Sequence, residues 1–444
     1  MILEKYPSLG QEALIHVWPN IGFVSYGTDP NHPKQIIRFN KTGIAILSLC
    51  DGVHQIKSIS LELAKRYQTS SEEVNAKVVD FLEQMEQVLP LSFEDQPRRN
   101  NLHVTGSTEY ITPMHAAIEL SYKCNLQCRH CYVNSISDSK KQLSRDQVFQ
   151  IFEKLYGWGV RVIELTGGEP TIHPDFLEIL QIALERFDLV AILTNGTHVT
   201  DEFLNTFVKF PKKVVVQVDL DGATPEYVDW FRGQPGTFRK EIDAIRKLCQ
   251  QGVRLRLAMC VTPGNLCQME QTVNLARSLG VPTIGIATVI PMGRGNDPSL
   301  LLSVAETQMF LKLWADLQER YPNLIFHLED LAMQKAKGNC GAGTRSVTIT
   351  PLGQVKLCQM SDIDVLCYGN IFAATNAGEL FNLPVISYIE QLEPPTLEIC
   401  GDCPNLSFCY QCISRGISKG REVGVDSCKW YALHHHHLSK GAKI

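Results

Sequence analysis

No run in this 444-residue chain is long and apolar enough to span a membrane, and its opening MILEKYPSLG has neither the basic start nor the apolar stretch of a secretory signal. A cytoplasmic location is the resulting expectation. Basic excess is missing too. Forty-two Lys and Arg stand against 47 Asp and Glu, a net charge of -5, so the chain carries no electrostatic footprint for nucleic acid. Cysteine is plentiful. Fifteen thiols are poor disulfide partners in a reducing compartment, which makes metal or cluster binding the better reading. Eleven of them fall into two groups, at 124–131 and 340–428. The hydrophobic content of 44% is that of a packed globular protein, and the length implies about two or three domains.

Residues 1–95 read as one domain. Extended runs at Phe23–Tyr26 and Gln35–Phe39 flank the turn-rich GTDPNHPK, predicting a hairpin, and apolar residues at three-to-four spacing predict helices at Thr42–Leu49, Ile59–Tyr67 and Val74–Val88. Ser70 to Glu73 supply start signals for the last of these. The polar, aperiodic Glu94–Thr108 reads as a linker, bounded as 96–112. Strand-like and helical runs then alternate, with strands expected at Ala116–Leu120, Val160–Thr166, Leu189–Thr194, Val214–Leu220, Arg254–Val261 and Thr283–Ile290. That alternation indicates βα units and a parallel sheet over 113–333. In Val214–Asp221 one face is wholly apolar and the other carries Gln217, Asp219 and Asp221, so the polar face is expected to line an interior. A cysteine-rich domain, 334–444, follows.

Cys124, Cys128 and Cys131 stand in KCNLQCRHCY, just after a predicted strand. Three thiolates at this spacing suit a four-iron cluster with one iron left open, because such a cluster normally takes four. A structural zinc site, the alternative, needs four ligands. The loop resembles the signature of the radical S-adenosylmethionine (SAM) enzymes. That resemblance implies a [4Fe-4S] cluster that binds SAM, and its reductive cleavage to a 5′-deoxyadenosyl radical. It also implies an α/β fold built on a partial (β/α)6 TIM-like barrel, and a low-potential flavodoxin or ferredoxin as electron donor.

Other segments match the same family. LTGGEP, with Gly167, Gly168, Glu169 and Pro170, resembles the part that binds the SAM amino group. QVDLDGATPEYVDWFRG resembles the SAM-carboxylate segment, which assigns cofactor contacts to Asp219 and Arg232, though serine is more usual where Asp219 stands. Thr194 and Asn195, with Gly196, are assigned to the ribose or adenine, and PMGRG at 291–295 to the adenine side. Cys260 shares a strand face with Arg256 and Ala258, which makes it a candidate to return hydrogen to a substrate radical.

The later cysteines resemble the SPASM extension of radical SAM enzymes, implying one or two auxiliary [4Fe-4S] clusters. By position, one takes Cys400, Cys403, Cys409 and Cys428, and the other takes Cys340, Cys358 and Cys412. Either Cys367 completes the second set or one of its irons is open. Zinc is the competing occupant, since C-x2-C-x5-C-x2-C contains two zinc-like pairs. Cys50, Cys249 and Cys267 read as small core or surface residues, and His434–His437 as a solvated tail.

FNKTGIAILSLCDG with the IKSISLELAKRY helix resembles a PqqD-like winged-helix domain that recognises ribosomally made peptides. The combined expectation is an enzyme that modifies a precursor peptide by crosslinking, epimerisation or excision, with the peptide's leader held by residues 1–95. A sulfatase-maturase-like oxidation of Cys or Ser is an alternative, although its members place aspartate where Gln359 stands. A non-catalytic iron-sulfur or zinc scaffold is another.

Overall fold

The chain divides into two units, Met1–Thr112 and Pro113–Ile444. Their geometry comes from a computed structural model that describes residues 2–27, 35–324, 339–361, 363 and 365–438.

In the first unit the strands are β1 (Tyr6–Leu9), β2 (Leu14–Val17), β3 (Ile21–Tyr26), β4 (Gln35–Asn40), β5 (Leu91–Glu94) and β6 (His103–Gly106). The expected hairpin is present as the antiparallel pair β3 and β4, while most of its GTDPNHPK connection lies outside the described residues. Helices α1 (Lys41–Leu47), α2 (Ile56–Tyr67) and α3 (Ser71–Glu86) follow where the periodicity put them. Asn40 starts α1 by accepting from the Gly43 N–H at 2.8 Å, and Ser70 starts α3 by accepting from the Glu73 N–H at 3.3 Å. Each such cap is worth about 1 kcal/mol. Leu47, Ile56, Ile59 and Leu82 are fully buried against Leu9 and Val24, each contributing about 1.5–3 kcal/mol of burial.

The linker expected at 96–112 is corrected by the structure. β6 pairs in parallel with β2, giving the sheet order β4-β3-β2-β6, and the segment beyond it is pinned by side chains. The fully buried His16 ring bridges Thr105 Oγ1 and the Thr112 carbonyl, at 3.0 Å each, and Trp18 Nε1–H donates to that same carbonyl at 2.8 Å. β6 is an edge strand with His103, Val104 and Gly106 exposed, so no apolar alternation marked it.

The second unit holds one nine-stranded sheet in the order β12-β11-β10-β9-β8-β7-β13-β14-β15. The six expected strands are β7 (His115–Ser121), β8 (Val162–Gly167), β9 (Leu189–Thr194), β10 (Val214–Asp219), β11 (Arg254–Val261) and β12 (Thr283–Thr288). All are parallel to their neighbours within this run. Between them lie α4 (Arg145–Gly157), α5 (Phe176–Arg186), α6 (Asp201–Lys209), α7 (Pro225–Arg232), α8 (Thr237–Gln250) and α9 (Met269–Ser278), with α10 (Val304–Arg320) after β12. This is the α/β, partial-barrel arrangement expected. The β10 alternation holds: Val214, Val216 and Val218 are buried against the helices, while Gln217 and Asp219 face inward.

The division expected at 333/334 falls outside the described residues. Beyond it, β13 (Ser346–Ile349) pairs in parallel with β7, and β14 (Gln354–Lys356) and β15 (Cys367–Asn370) continue antiparallel. The β7 edge would otherwise present unpaired backbone N–H and C=O groups, and β13 satisfies them.

Candidate functional site

The cysteine loop leaves the end of β7, and Cys124 and Leu126 turn inward while Lys123, Asn125, Gln127 and Arg129 face solvent. Every one of the three sulfurs meets N–H donors. Leu126 N–H and Asn195 Nδ2 point at Cys124 Sγ, 3.4 and 3.8 Å away; Arg232 Nη1 lies 3.7 Å from Cys128 Sγ; Ser135 N–H reaches Cys131 Sγ at 3.3 Å. Cys124 has Cys128 and Cys131 as electrostatic neighbours. Burial pushes the Cys124 thiol up to about 12 and the Cys128 thiol up to about 11. A positively charged iron centre bound there would displace the thiol protons.

Two arms brace this loop. Gly168 N–H donates to the Ser121 carbonyl at 2.6 Å and Glu169 N–H to that of Lys123 at 3.0 Å. A Cβ at Gly167 or Gly168 would overlap those same carbonyls, so the glycines serve close approach of β8 to the cysteine loop. From the other side, Arg129 N–H and Gln127 N–H donate to the carbonyls of Phe231 and Arg232, at 2.9 and 3.2 Å, where α7 ends. Gly233 ends that helix at φ +72°, and a side chain there would strike the Gln127 carbonyl. Arg294, from the PMGRG segment, adds a staple: its Nε donates to the Cys128 carbonyl at 2.8 Å and its Nη1 to that of Ser135 at 2.9 Å.

Glu169 is held by internal bonds. Its buried carboxylate accepts at Oε1 from Thr171 N–H (3.1 Å), Thr171 Oγ1 (2.6 Å) and Thr194 Oγ1 (2.7 Å), and at Oε2 from Asn195 N–H (2.7 Å). Burial raises its pKa and these bonds oppose that rise. The residue thus ties the end of β8 to the end of β9, and brings Thr194 and Asn195 beside Cys124. Pro170 opens the short turn that follows.

Arg232 is surrounded by acids. Its guanidinium, 3% exposed, sits among three carboxylates: Asp221 at 2.5 Å, Asp219 at 3.2 Å and Glu241 at 3.5 Å. Burial raises the pKa of all three acids, Glu241 furthest, with Arg232 pulling each back. Three acids of the chain thus surround the guanidinium assigned to a SAM carboxylate. His130, between Cys128 and Cys131, stacks flat on Phe231 at 4.4 Å, and burial lowers its pKa to about 3. Cys260 reaches the same region. Its N–H donates to Asp221 Oδ1 at 2.8 Å, and burial with the nearby Asp221 charge drives its thiol well up.

Deeper in the interior, the fully buried Glu119 of β7 pairs with Lys356 Nζ of β14 at 3.1 Å and accepts from Tyr122 OH at 2.7 Å. The Gln359 amide reaches the Glu164 carboxylate of β8. Sequence reasoning placed Asp221 on the interior face and Arg294 in the adenine-side segment, and missed Glu241, His130, Glu119 and Lys356 as site-forming residues. The available signal was the charge of Glu119 within the largely apolar run Ala116–Leu120.

The later cysteines lie in two groups. Cys400, Cys403, Cys409 and Cys428 line one cavity, together with Trp430 and Lys419. Cys358 has Cys412 and Cys340 as electrostatic neighbours, whereas Cys367 Sγ points to its own strand's Gly369 carbonyl at 3.6 Å. Among the described residues, no three His, Cys, Asp or Glu side chains converge tightly enough to share a single ion. A four-iron cluster asks for wider spacing, because each thiolate meets a different iron. The histidine tract is corrected: residues Lys429–Leu438 form a helix on which His434 Nδ1 meets Tyr388 OH at 2.6 Å and His437 stacks on Tyr388 at 4.3 Å. Buried Trp430 and Leu438 anchor it. Cys50 is buried, Cys249 half-buried and Cys267 exposed, as bland core and surface residues would be.

Comparison with known proteins adds to this geometry. Residues 118–276 match the family described as Radical SAM superfamily, and residues 30–88 match Coenzyme PQQ synthesis protein D (PqqD). The chain is 28% identical to the antilisterial bacteriocin subtilosin biosynthesis protein AlbA of Bacillus subtilis, over 97% of each chain. It is 31% identical to the mycofactocin maturase MftC of Mycobacterium tuberculosis, over 66% of this chain and 75% of that protein. Its fold resembles that of Streptococcus suis SuiB, solved with S-adenosylmethionine (TM-score 0.61, 13% identity) and with precursor peptide SuiA (TM-score 0.62, 13% identity). The likeness covers 93% of this chain and 96% and 97% of those chains.

Proposed function

The chain belongs to the radical SAM superfamily, and from that premise we propose how its residues divide the work of modifying a ribosomally made precursor peptide. The activity is reductive cleavage of SAM at a [4Fe-4S] cluster, which supplies a 5′-deoxyadenosyl radical that takes hydrogen from the peptide. Cys124, Cys128 and Cys131 are the residues that hold this cluster. The observation that carries the assignment is that all three sulfurs receive N–H donors, since such bonds stabilise thiolate ligands and tune their centre.

The surrounding residues hold and shape. Glu169 locks Thr194 and Asn195 against the cysteine loop, and Arg294 with the end of α7 fixes the loop's other half. Asp219, whose side chain is one-third exposed, is the carboxylate of the Arg232 cluster that reaches the interior, and an acid there suits ribose hydroxyls. Cys400, Cys403, Cys409 and Cys428 form one auxiliary-cluster site of a SPASM-type extension, and Cys340, Cys358 and Cys412 form another. The first unit serves as the winged-helix leader site. β4 ends its sheet, with Ile36 54% exposed, so an extended leader can add to it as a further strand.

Anaerobically prepared protein should be brown and hold roughly eight to twelve irons, as two or three clusters require. Reduced with dithionite in the presence of SAM, it should release 5′-deoxyadenosine, and replacing Cys124, Cys128 and Cys131 together by alanine should abolish that release. Continued cleavage in the triple variant would overturn the assignment.

A further inference from the structure

Two of the three loop sulfurs meet neutral amide donors, Leu126 N–H and Asn195 Nδ2 at Cys124, and Ser135 N–H at Cys131. Cys128 differs among the described residues. Its sulfur lies 3.7 Å from Nη1 of the Arg232 guanidinium, a full positive charge on a side chain only 3% exposed. A charged donor is about twice as strong as a neutral one, and a site that excludes water does not screen it.

Every nitrogen of that guanidinium has a set direction. Nη2 lies 2.5 Å from Asp221 Oδ2 and Nε 3.5 Å from Glu241 Oε1, while Nη1 is divided between Cys128 Sγ and Asp219 Oδ2, the latter at 3.2 Å. The acids come from separate elements: Asp219 ends β10, Asp221 stands just beyond it, and the fully buried Glu241 lies in α8. Asp221 is itself held. Its Oδ1 accepts from the Cys260 N–H at 2.8 Å, and its carbonyl accepts from Asn265 Nδ2 at 2.5 Å. The backbone reinforces the side chain, because the Arg232 carbonyl accepts from Gln127 N–H at 3.2 Å and the Phe231 carbonyl from Arg129 N–H at 2.9 Å. The residues on both sides of Cys128 are thus bonded to the end of α7, and Arg232 cannot turn from the sulfur without breaking one of these contacts.

From this arrangement we infer that Arg232 sets the reduction potential of the cluster on Cys124, Cys128 and Cys131: its Nη1–H, aimed at Cys128 Sγ by Asp221 and Glu241, makes the cluster easier to reduce. Asp219, which competes for the same nitrogen, limits the effect. The inference rests on the reading of these cysteines as cluster ligands and goes beyond the cofactor contact that the sequence assigns to Arg232. Reduction brings one electron to the cluster with no bond made or broken, and a positive donor at a ligand sulfur stabilises the added negative charge. The guanidinium already acts on the thiol in this sense: burial raises the Cys128 pKa and Arg232 opposes the rise. In the competing reading Arg232 serves only to hold the SAM carboxylate, and the potential measured without SAM does not depend on it.

The test is a redox titration of the anaerobic holoenzyme without SAM, followed by electron paramagnetic resonance. The signal of this cluster is the one that disappears when Cys124, Cys128 and Cys131 are replaced together by alanine. R232K keeps the charge but has a single nitrogen, which cannot serve Asp221, Glu241 and the sulfur together. It should keep wild-type iron content and lower the equilibrium constant for reduction of this cluster about tenfold, a shift of about 59 mV to lower potential for one electron. D219N, which leaves Arg232 in place and frees Nη1 for the sulfur, should move the potential the opposite way. An unmoved potential in iron-replete R232K, or shifts of the same sign in both variants, would overturn the inference. Should R232K lose iron, D219N decides the question alone: a raised potential supports the inference, and an unmoved or lowered one overturns it. Failure of the underlying assignment looks different, because the triple alanine variant then keeps every signal.

Discussion

Glu119 and Lys356, far apart in sequence, meet at 3.1 Å in the interior of the second unit with side chains 0% and 6% exposed. One comes from the first strand of the barrel and the other from the cysteine-rich segment. This ion pair therefore ties β7 to β14 across the intervening β13.

Removing one partner leaves the other as an uncompensated buried charge. Lys356→Met or Glu119→Gln alone should destabilise the protein by about 3–5 kcal/mol, and the double variant should recover much of that loss. Denaturant titration of all three variants is the check. Equal, additive losses would mean that the two residues do not interact.

Glu169 provides a separate test of bracing. Glu169→Ala removes four accepted hydrogen bonds and frees the ends of β8 and β9, so SAM affinity should fall by at least tenfold. Glu169→Gln, which keeps the size but has only one acceptor oxygen, should fall between Ala and wild type. Isothermal titration of SAM into the reconstituted protein gives both numbers.

The Cys400, Cys403, Cys409 and Cys428 cavity predicts a selective loss. Cys428→Ala should lower the iron content by about four atoms, one cluster's worth, while 5′-deoxyadenosine release continues. Iron analysis alongside product chromatography decides it. An unchanged iron content would remove Cys428 from the ligand set.

The corrected unit boundary changes how the leader site should be tested. A deletion ending at residue 95 leaves β6 without its partner β2, whereas deletion of residues 1–112 removes the whole unit. The longer deletion should lose peptide binding and retain uncoupled SAM cleavage. Fluorescence anisotropy with a labelled precursor peptide measures the first and product chromatography the second. Unchanged peptide affinity would end the docking role.

His115 gives a pH prediction. Burial lowers its pKa to about 4 from an ordinary 6.5, while its Nδ1 lies 2.7 Å from Ser346 Oγ across the β7–β13 pairing. The unfolded chain takes up this proton first as pH falls. The stabilisation is therefore complete above pH 6.5 and is lost progressively toward pH 4. Thermal melts of the cluster-free protein should show a decline over that window that His115→Gln flattens.

Much of the scaffold was legible in the residues. The βα alternation placed all six barrel strands, and Leu189–Thr194 and Arg254–Val261 match the observed bounds. The edge strand β6 was not legible, because its outward side chains carry no burial pattern and its contacts come from His16 and Trp18, far away in sequence. The internal bonds of Glu169 and Arg232 were not legible for a related reason. A carboxylate or guanidinium in a loop motif looks available to a ligand until the fold shows which of its bonds are already made.

Local chemistry by itself determined the cysteine spacing, the class of centre it can hold, the parallel α/β architecture and the grouping of the later thiols. These depend on side-chain type and on short-range periodicity. The tertiary structure alone decided that the cysteine-rich segment completes the barrel's sheet, that three acids surround Arg232, and that the loop's cations face outward. Those outcomes depend on which distant groups meet in a low-dielectric interior, and pairing there follows from burial rather than from proximity along the chain.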